Sequence, residues 1–168
     1  MTQLAHAESY AGPSPIATPA EPPPLVTRFG AITLDPARIL AFPNGLLGFA
    51  GRHRYVLTEV PGADAAFKLL QSIDDPDLSF VVLPLDANDG PIASTDLEAA
   101  RAALGIEETV LAVLAVVTLR SGGGRVDFTV NLRAPLLVDT GRRLGYQHVL
   151  PNDAYPLRHP LTGVDHAG

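Results

Sequence analysis

From residue 25 onward, the chain consists of short apolar runs separated by turn-forming residues. Several runs alternate apolar and polar positions, which is typical of strands with one buried face. In 126–132, for example, Val126, Phe128 and Val130 point one way and the polar residues the other. The predicted strands are 25–32, 38–42, 55–60, 67–73, 78–85, 109–120, 126–132, 136–139 and 146–150. This series predicts a mostly antiparallel sandwich or small barrel.

The segment 109–120 differs from the others because it is apolar on both alternating faces. That pattern predicts a central strand covered on both sides. The three glycines from Gly122 to Gly124 follow it, and they predict a hairpin loop into the next strand.

One segment has a helical period. Apolar residues recur at i, i+3 and i+7 from Leu97. Thr95 and Glu98 fit a capping box in which Thr95 is the N-cap, and Gly105 suits the position after the last helical residue. The pattern predicts one short helix over 96–104.

Composition divides the chain into three regions. Residues 1–24 hold six prolines among Ala, Ser and Thr, and such a segment has too little apolar surface to offset the entropy of ordering. We therefore predict a disordered Pro/Ala-rich tail over 1–24. A mostly β, small antiparallel β-barrel-like domain with one short helix follows over 25–158, and a flexible C-terminal tail over 159–168.

Composition also excludes several kinds of chemistry. The chain has no Cys, so disulfides, thiolate metal sites and cysteine nucleophiles are absent. No apolar run reaches the roughly 18 residues of a membrane-spanning helix, and we see no secretory signal, which predicts a cytoplasmic protein. The net charge of −6 argues against direct nucleic-acid binding.

The charge is unevenly distributed. Residues 59–108 hold eleven acidic side chains against two basic ones, a balance of −9, whereas 28–58 and 109–168 have balances of +3 and +2. An acidic middle of this kind predicts electrostatic steering toward a basic partner. The candidate partner-binding residues are Asp74, Asp75, Asp77, Glu107 and Glu108.

We find no pattern of a catalytic site. A Gly-x-Ser-x-Gly nucleophile elbow is absent, and the Asp-rich turn at 74–77 lacks the Gly and the Glu of a calcium loop. His53, His148 and Asp139 are residue types that could converge on a metal, and separate surface histidines are the alternative. We predict no enzyme activity, no cofactor and no metal, and we keep a small β-barrel ligand-binding or metal-binding protein as an alternative.

Residues 42–49 read F-P-N-G-L-L-G-F and resemble the F-x-x-G-L-x-G-F motif of the flagellar assembly factor FliW family. Further segments similar to that family follow in the family's order, which makes the resemblance specific. They are 67–72 (F-K-L-L-Q-S), 75–82 (D-P-D-L-S-F-V-V), 131–136 (N-L-R-A-P-L), 145–150 (G-Y-Q-H-V-L) and 155–158 (Y-P-L-R).

The resemblance implies a small β-barrel-like fold and a binding protein that is not an enzyme. No coiled-coil seam or second domain in the sequence demands assembly, so we predict a monomer. The resemblance implies two partners: flagellin, and CsrA, the small basic RNA-binding translational regulator. In the family, the free protein sequesters CsrA, and newly made flagellin releases CsrA by capturing the protein.

After 80–82 the chain reads L-P-L-D, where the family usually has a D-P and then a P-x-Y. A flagellin chaperone without CsrA antagonism is therefore an alternative. Within the motifs, Gly45 and Gly48 are expected at turns with positive φ. The aromatic residues are expected in the core rather than at contacts: Phe42, Phe49, Phe80 and Phe128.

Overall fold

A ring of antiparallel strands forms the body of the protein. The computed structural model describes residues 23–161. The elements are β1 (Leu25–Thr27), β2 (Gly30–Ile32), β3 (Ile39–Ala41), β4 (Arg54–Glu59), β5 (Lys68–Ser72), β6 (Ser79–Leu85), α1 (Ser94–Leu104), β7 (Leu111–Gly122), β8 (Arg125–Val130), β9 (Leu136–Asp139), β10 (Leu144–Gln147) and β11 (His159–Pro160). Two short 3-10 helices, Pro36–Arg38 and Glu108–Val110, precede β3 and β7. The predicted mostly β, barrel-like fold with one helix is confirmed.

Strand β7 closes the ring because it pairs with three neighbours. Val113 pairs with both β6 and β9, and Val117 pairs with both β6 and β8, so β6 lies along one edge and β9 and β8 share the other. From β6 the ring continues through β5, β4, β3, β10 and β9 back to β7. The contact of β3 with β10 is a single parallel pair, Ala41 with Leu144.

The alternating side chains of β7 enter two different cores. Leu114 belongs to an inner core, to which β3, β4, β5, β6 and β9 all contribute. Val113, Ala115 and Val117 belong to an outer core, which includes Leu97 of α1. The prediction of a strand covered on both faces is confirmed for this part of β7.

The helix begins two residues earlier than predicted, at Ser94, and the predicted capping box does not form. Its N-cap is Ala93, which makes no side-chain cap. Instead, the hydroxyl of Tyr155 accepts the Ala93 N–H at 3.0 Å and donates to the Asp96 carboxylate at 2.5 Å. That hydrogen bond holds the pKa of Asp96 below its usual range. Glu98 pairs with Arg101 rather than reaching back to the helix start.

The helix ends as predicted. Gly105 has φ +67°, a left-handed conformation that glycine adopts without strain, and its N–H bonds to the carbonyl of Ala102. Among the described residues, no helix has both the length and the apolarity to cross a bilayer.

The N-terminal and C-terminal strands differ from the predicted pattern. Residues 25–32 form two strands rather than one, because the chain turns at Thr27, whose hydroxyl accepts the Phe29 N–H and donates to the Gly30 carbonyl. At the other end, β11 pairs with β8, so the sheet continues past residue 158, where the sequence placed the end of the domain. Apart from their edges next to these strands, the predicted tails lie outside the described residues.

Candidate functional site

Four of the six family-like segments, 42–49, 67–72, 75–82 and 145–150, contribute to one end of the barrel, which we call the motif end. It consists of residues 42–54, the turn 72–79 and Gln147. The loop 42–49 closes this end of the ring: Phe42 is fully buried in the inner core, and its ring meets that of Tyr55 edge-on at 5.3 Å. Burial, followed by the charge of Asp74, raises the pKa of Tyr55 to about 12.

The loop 42–49 is tight because its two predicted turn glycines do have positive φ, +65° at Gly45 and +85° at Gly48. A Cβ atom on Gly45 would lie 2.6 Å from the Phe49 carbonyl oxygen. Only glycine fits there, which explains why the loop brings the chain straight back toward β4.

Gln71 fixes the acidic turn of the motif end. It is fully buried at the end of β5. Its side-chain Nε2 lies 2.9, 3.0 and 2.9 Å from the carbonyl oxygens of Ser72, Pro76 and Leu78, so its two hydrogens are shared among three acceptors. The amide group of Gln71 therefore helps to hold the turn from inside the protein, together with the Ser72 hydroxyl, which accepts the Asp75 N–H.

Asp74 joins this turn to the neighbouring segment. Its Oδ2 accepts the backbone N–H groups of His53 and Arg54 at 2.8 and 2.9 Å, and its Oδ1 accepts Nε of Arg54 at 2.8 Å. Partial burial acts to raise the pKa of this carboxyl, but the hydrogen bonds from His53 and Arg54 outweigh it, and the pKa is lowered. The hydrogen bonds of Asp74 thus connect the turn 72–79 to the segment that contains His53 and Arg54.

The three predicted acidic residues of this turn have different surroundings. Asp75 forms an ion pair with Arg52 at 3.1 Å. Asp77 is exposed, and its carboxylate makes no hydrogen bond or ion pair with any residue from 23 to 161. Since Asp74 and Asp75 are neutralised by arginines, Asp77 is the member of this group whose charge is free to attract a partner.

Gln147 holds the loop 42–49 from the other side. Its Oε1 accepts the Leu47 N–H at 2.8 Å, and its Nε2 donates to the Ala134 carbonyl at 3.2 Å. The side chain of Leu47 remains 60% exposed and that of Phe49 40%. The expectation that Phe49 lies in the core is wrong: its ring instead leans edge-on against Phe80 at 5.3 Å.

Glu107 and Glu108 are exposed, but they precede β7, at the other end of the barrel. The seven residues of β6 separate that end from the acidic turn, a length of about 20 Å. The predicted acidic residues are therefore not brought together into one surface. Other acids of the region are paired internally, for example Glu59 with Lys68 and Glu98 with Arg101.

The three candidate metal ligands are also apart. His53 lies at the motif end, where its Nδ1 is 3.1 Å from the Phe42 carbonyl oxygen. Asp139 lies at the opposite end of β9, is nearly buried, and accepts the Arg142 N–H at 2.8 Å. His148 directly follows Gln147, the last residue of β10, and so lies at the far end of the β9–β10 pair from Asp139. In the part of the chain that the structure describes, no group of three His, Cys, Asp or Glu side chains has the geometry of a metal site.

The protein is a small β-barrel domain. Seven strands form its ring, one helix packs on the outer face, and the loop 42–49 closes one end. The model of the family described as FliW protein matches residues 25–161, and the chain belongs to the FliW family.

Two relatives and one solved structure agree. The flagellar assembly factor FliW of Geobacter sulfurreducens is 35% identical over 137 residues, covering 80% of this chain and 83% of that protein. The FliW of an Exiguobacterium species is 36% identical over 137 residues, covering 81% and 92%. A crystal structure of the flagellar assembly factor FliW superposes with a TM-score of 0.64 at 26% identity and covers 83% of this chain and 97% of that one.

Proposed function

We propose that this protein is a cytoplasmic, monomeric flagellar assembly factor that binds flagellin and antagonises CsrA, and that it has no catalytic activity of its own. The observation that carries the proposal is the motif end, where Leu47 and Phe49 are exposed on a loop held by Gln147. At the same end lies Asp77, whose carboxylate has no partner within residues 23–161. Exposed apolar side chains on a fixed backbone are typical anchors of protein interfaces, because little conformational entropy is lost on binding.

The motif end has a candidate contact for each of the two partners. Leu47 and Phe49 present an apolar surface that would pack against an apolar face of flagellin. Asp77 would attract a basic protein such as CsrA, although the structure provides less free charge here than the composition of residues 59–108 indicates, because Arg52 and Arg54 neutralise its neighbours.

The apolar contact is tested with Leu47→Asp. We expect binding to flagellin to weaken by about thirtyfold, the loss of an anchor worth about 2 kcal/mol. Because Leu47 is already exposed, the fold should be retained, which circular dichroism checks. The matched control is Leu157→Asp, at a leucine with 64% exposure outside the motif end. Equal flagellin binding by the two variants, measured by co-purification and calorimetry, would contradict the proposed interface.

The charge contact is tested with Asp77→Lys. We expect association with CsrA to slow severalfold at low ionic strength, and the difference to shrink as salt screens the charges. Glu107→Lys, at the opposite end of the barrel, makes the same change in net charge and should have little effect. If the wild-type protein captured flagellin but released no RNA from CsrA, the regulatory part of the proposal would be wrong, and a flagellin chaperone would remain.

A further inference from the structure

The end of the barrel opposite the motif end is open. Leu114 and Val138 are buried at its floor, and Leu40 and Leu57 stand half-buried at its sides. Together they enclose an apolar cavity of about 260 Å³, which we call the mouth pocket. Its lining residues are Arg38, Leu40, Leu57, Ala112, Leu114, Val138 and Thr140.

A small side chain accounts for the pocket. Ala112 faces inward and pairs with Val138. Its side chain is smaller than those of the leucine and valine residues that surround it in the inner core, which leaves the space empty. The pocket is larger than the roughly 150 Å³ cavity that can hold a benzene ring and smaller than most drug-sized sites. It therefore has room for one large apolar side chain.

The rim of the mouth pocket is basic. Arg38 lines the pocket itself, and Arg142 and Arg143 lie on the turn after β9. Four acidic residues lie at this end of the barrel: Asp35, Asp139, Glu107 and Glu108. Glu108 lines a separate cavity beside α1, together with Leu97 and Arg101. Asp139 is nearly buried. It accepts the Arg142 N–H and also forms an ion pair with the Arg142 guanidinium at 3.8 Å, so Arg142 already has an acidic partner. Asp35 is 4.0 Å from Arg38, and both side chains are more than half exposed. Such an exposed ion pair contributes little to stability.

Arg143 stands out on this rim. It is exposed, and its guanidinium makes one contact in the described part of the chain, a 3.4 Å bond from Nη1 to the Pro36 carbonyl. Its φ is +57°, and within residues 23–161 it is the one residue other than glycine with a positive φ. Glycine or asparagine is usual at such a position, because other side chains are strained there. Among residues 23–161, therefore, this strained arginine has no carboxylate partner.

We infer that the mouth pocket docks an acidic peptide segment of a partner protein. One large aliphatic or aromatic side chain of the segment fills the space above Ala112, and a carboxylate one or two residues away pairs with Arg143 and Arg38. Charge complementarity selects this occupant, since residues 59–108 are strongly acidic and repel such a segment, whereas the arginines of this rim attract it. The inference goes beyond the proposed function, because it concerns the opposite end of the barrel and requires neither flagellin nor CsrA.

The test titrates the full chain with a capped synthetic peptide in which one leucine is followed by two glutamates, and follows backbone amide shifts by NMR. We expect shifts at residues of the mouth pocket. Ala112→Leu, which fills the pocket, should weaken binding by at least about tenfold and should raise the melting temperature or leave it unchanged. Ala99→Leu, on the exposed face of α1, is the control and should bind as the wild type does.

Arg143→Gly tests the charge contact separately from the filling of the mouth pocket. It relieves the strained φ, so we expect a higher melting temperature together with weaker peptide binding. A peptide with glutamines in place of the glutamates should bind the wild type as weakly as the original peptide binds Arg143→Gly. Retention of binding by Ala112→Leu would overturn the inference, as would equal shifts caused by octanoate, which would indicate a small aliphatic acid instead. Since the Leu47→Asp experiment reports on the motif end separately, failure of either proposal leaves the other intact.

Discussion

Replacing Gln71 with glutamate is expected to destabilise the protein by at least about 3 kcal/mol at neutral pH, although the two side chains have the same size and shape. The amide of Gln71 is fully buried and donates to three carbonyl oxygens. A carboxylate has no proton to donate, so the substitution places a buried negative charge against three partial negative charges. Urea unfolding followed by circular dichroism measures the change.

The pH dependence of the stability of Gln71→Glu shows whether the new charge causes the destabilisation. Burial and the carbonyl oxygens raise the folded-state pKa of the new carboxyl above its unfolded value of about 4.3. The destabilisation is therefore smallest below that value and grows by up to about 1.4 kcal/mol per pH unit until the folded-state pKa is reached. We expect the gap between variant and wild type to be clearly narrower at pH 5 than at pH 7.

Gln71→Met is the matched control. It keeps the size of the side chain and removes the donors without adding a charge. It should destabilise the protein by about 1–3 kcal/mol, the cost of leaving a buried acceptor such as the Ser72 carbonyl without this donor, with no added pH dependence relative to the wild type. The Leu78 carbonyl still accepts the Ser72 N–H. Equal stability of Gln71→Glu and the wild type at pH 7 would show that this amide does not hold the acidic turn.

The sequence predicts those parts of the fold that depend on local periodicity. The two-faced run that becomes β7, the helical repeat from Leu97 and the turn glycine Gly105 could all be read from neighbouring residues. Closure of the ring depends on the pairing of β7 with β9, more than 20 residues apart, and no local pattern specifies it. The true cap of α1 was missed for the same reason, because Tyr155 lies 59 residues from Asp96.

The candidate site was predicted less well than the fold, because charge balance counts residues and ignores their partners. Asp74 and Asp75 appeared as free acids, yet Arg54 and Arg52, about 20 residues earlier, neutralise them. Leu47 and Phe49 were missed as surface residues, since apolar residues are more often buried. The sequence did contain a signal: two adjacent leucines between Gly45 and Gly48 cannot both point inward from so tight a turn.

Replacing Gly145 with alanine is expected to destabilise the protein by about 2–3 kcal/mol, at the upper end of what one added methyl group costs in a packed core. Gly145 lies on β10 and faces the inner core. A Cβ atom there would be 2.4 Å from both Cε1 and Cζ of Phe42. The Phe42 ring cannot move aside easily, because it is fully buried and packs edge-on against Tyr55. The methyl group must therefore displace either β10 or the loop 42–49.

Two further variants test whether a clash with Phe42 causes the destabilisation by Gly145→Ala. Gly141→Ala, in the turn of the same hairpin, would meet no atom closer than 3.4 Å and should change the free energy of unfolding by less than about 1 kcal/mol. Phe42→Leu should partly rescue Gly145→Ala, giving a favourable coupling energy in a double-mutant cycle. Because Phe42 begins the loop that carries Leu47, Gly145→Ala should also weaken flagellin binding, and Phe42→Leu should restore part of it. An additive cycle would mean that Gly145→Ala does not act through a clash with Phe42.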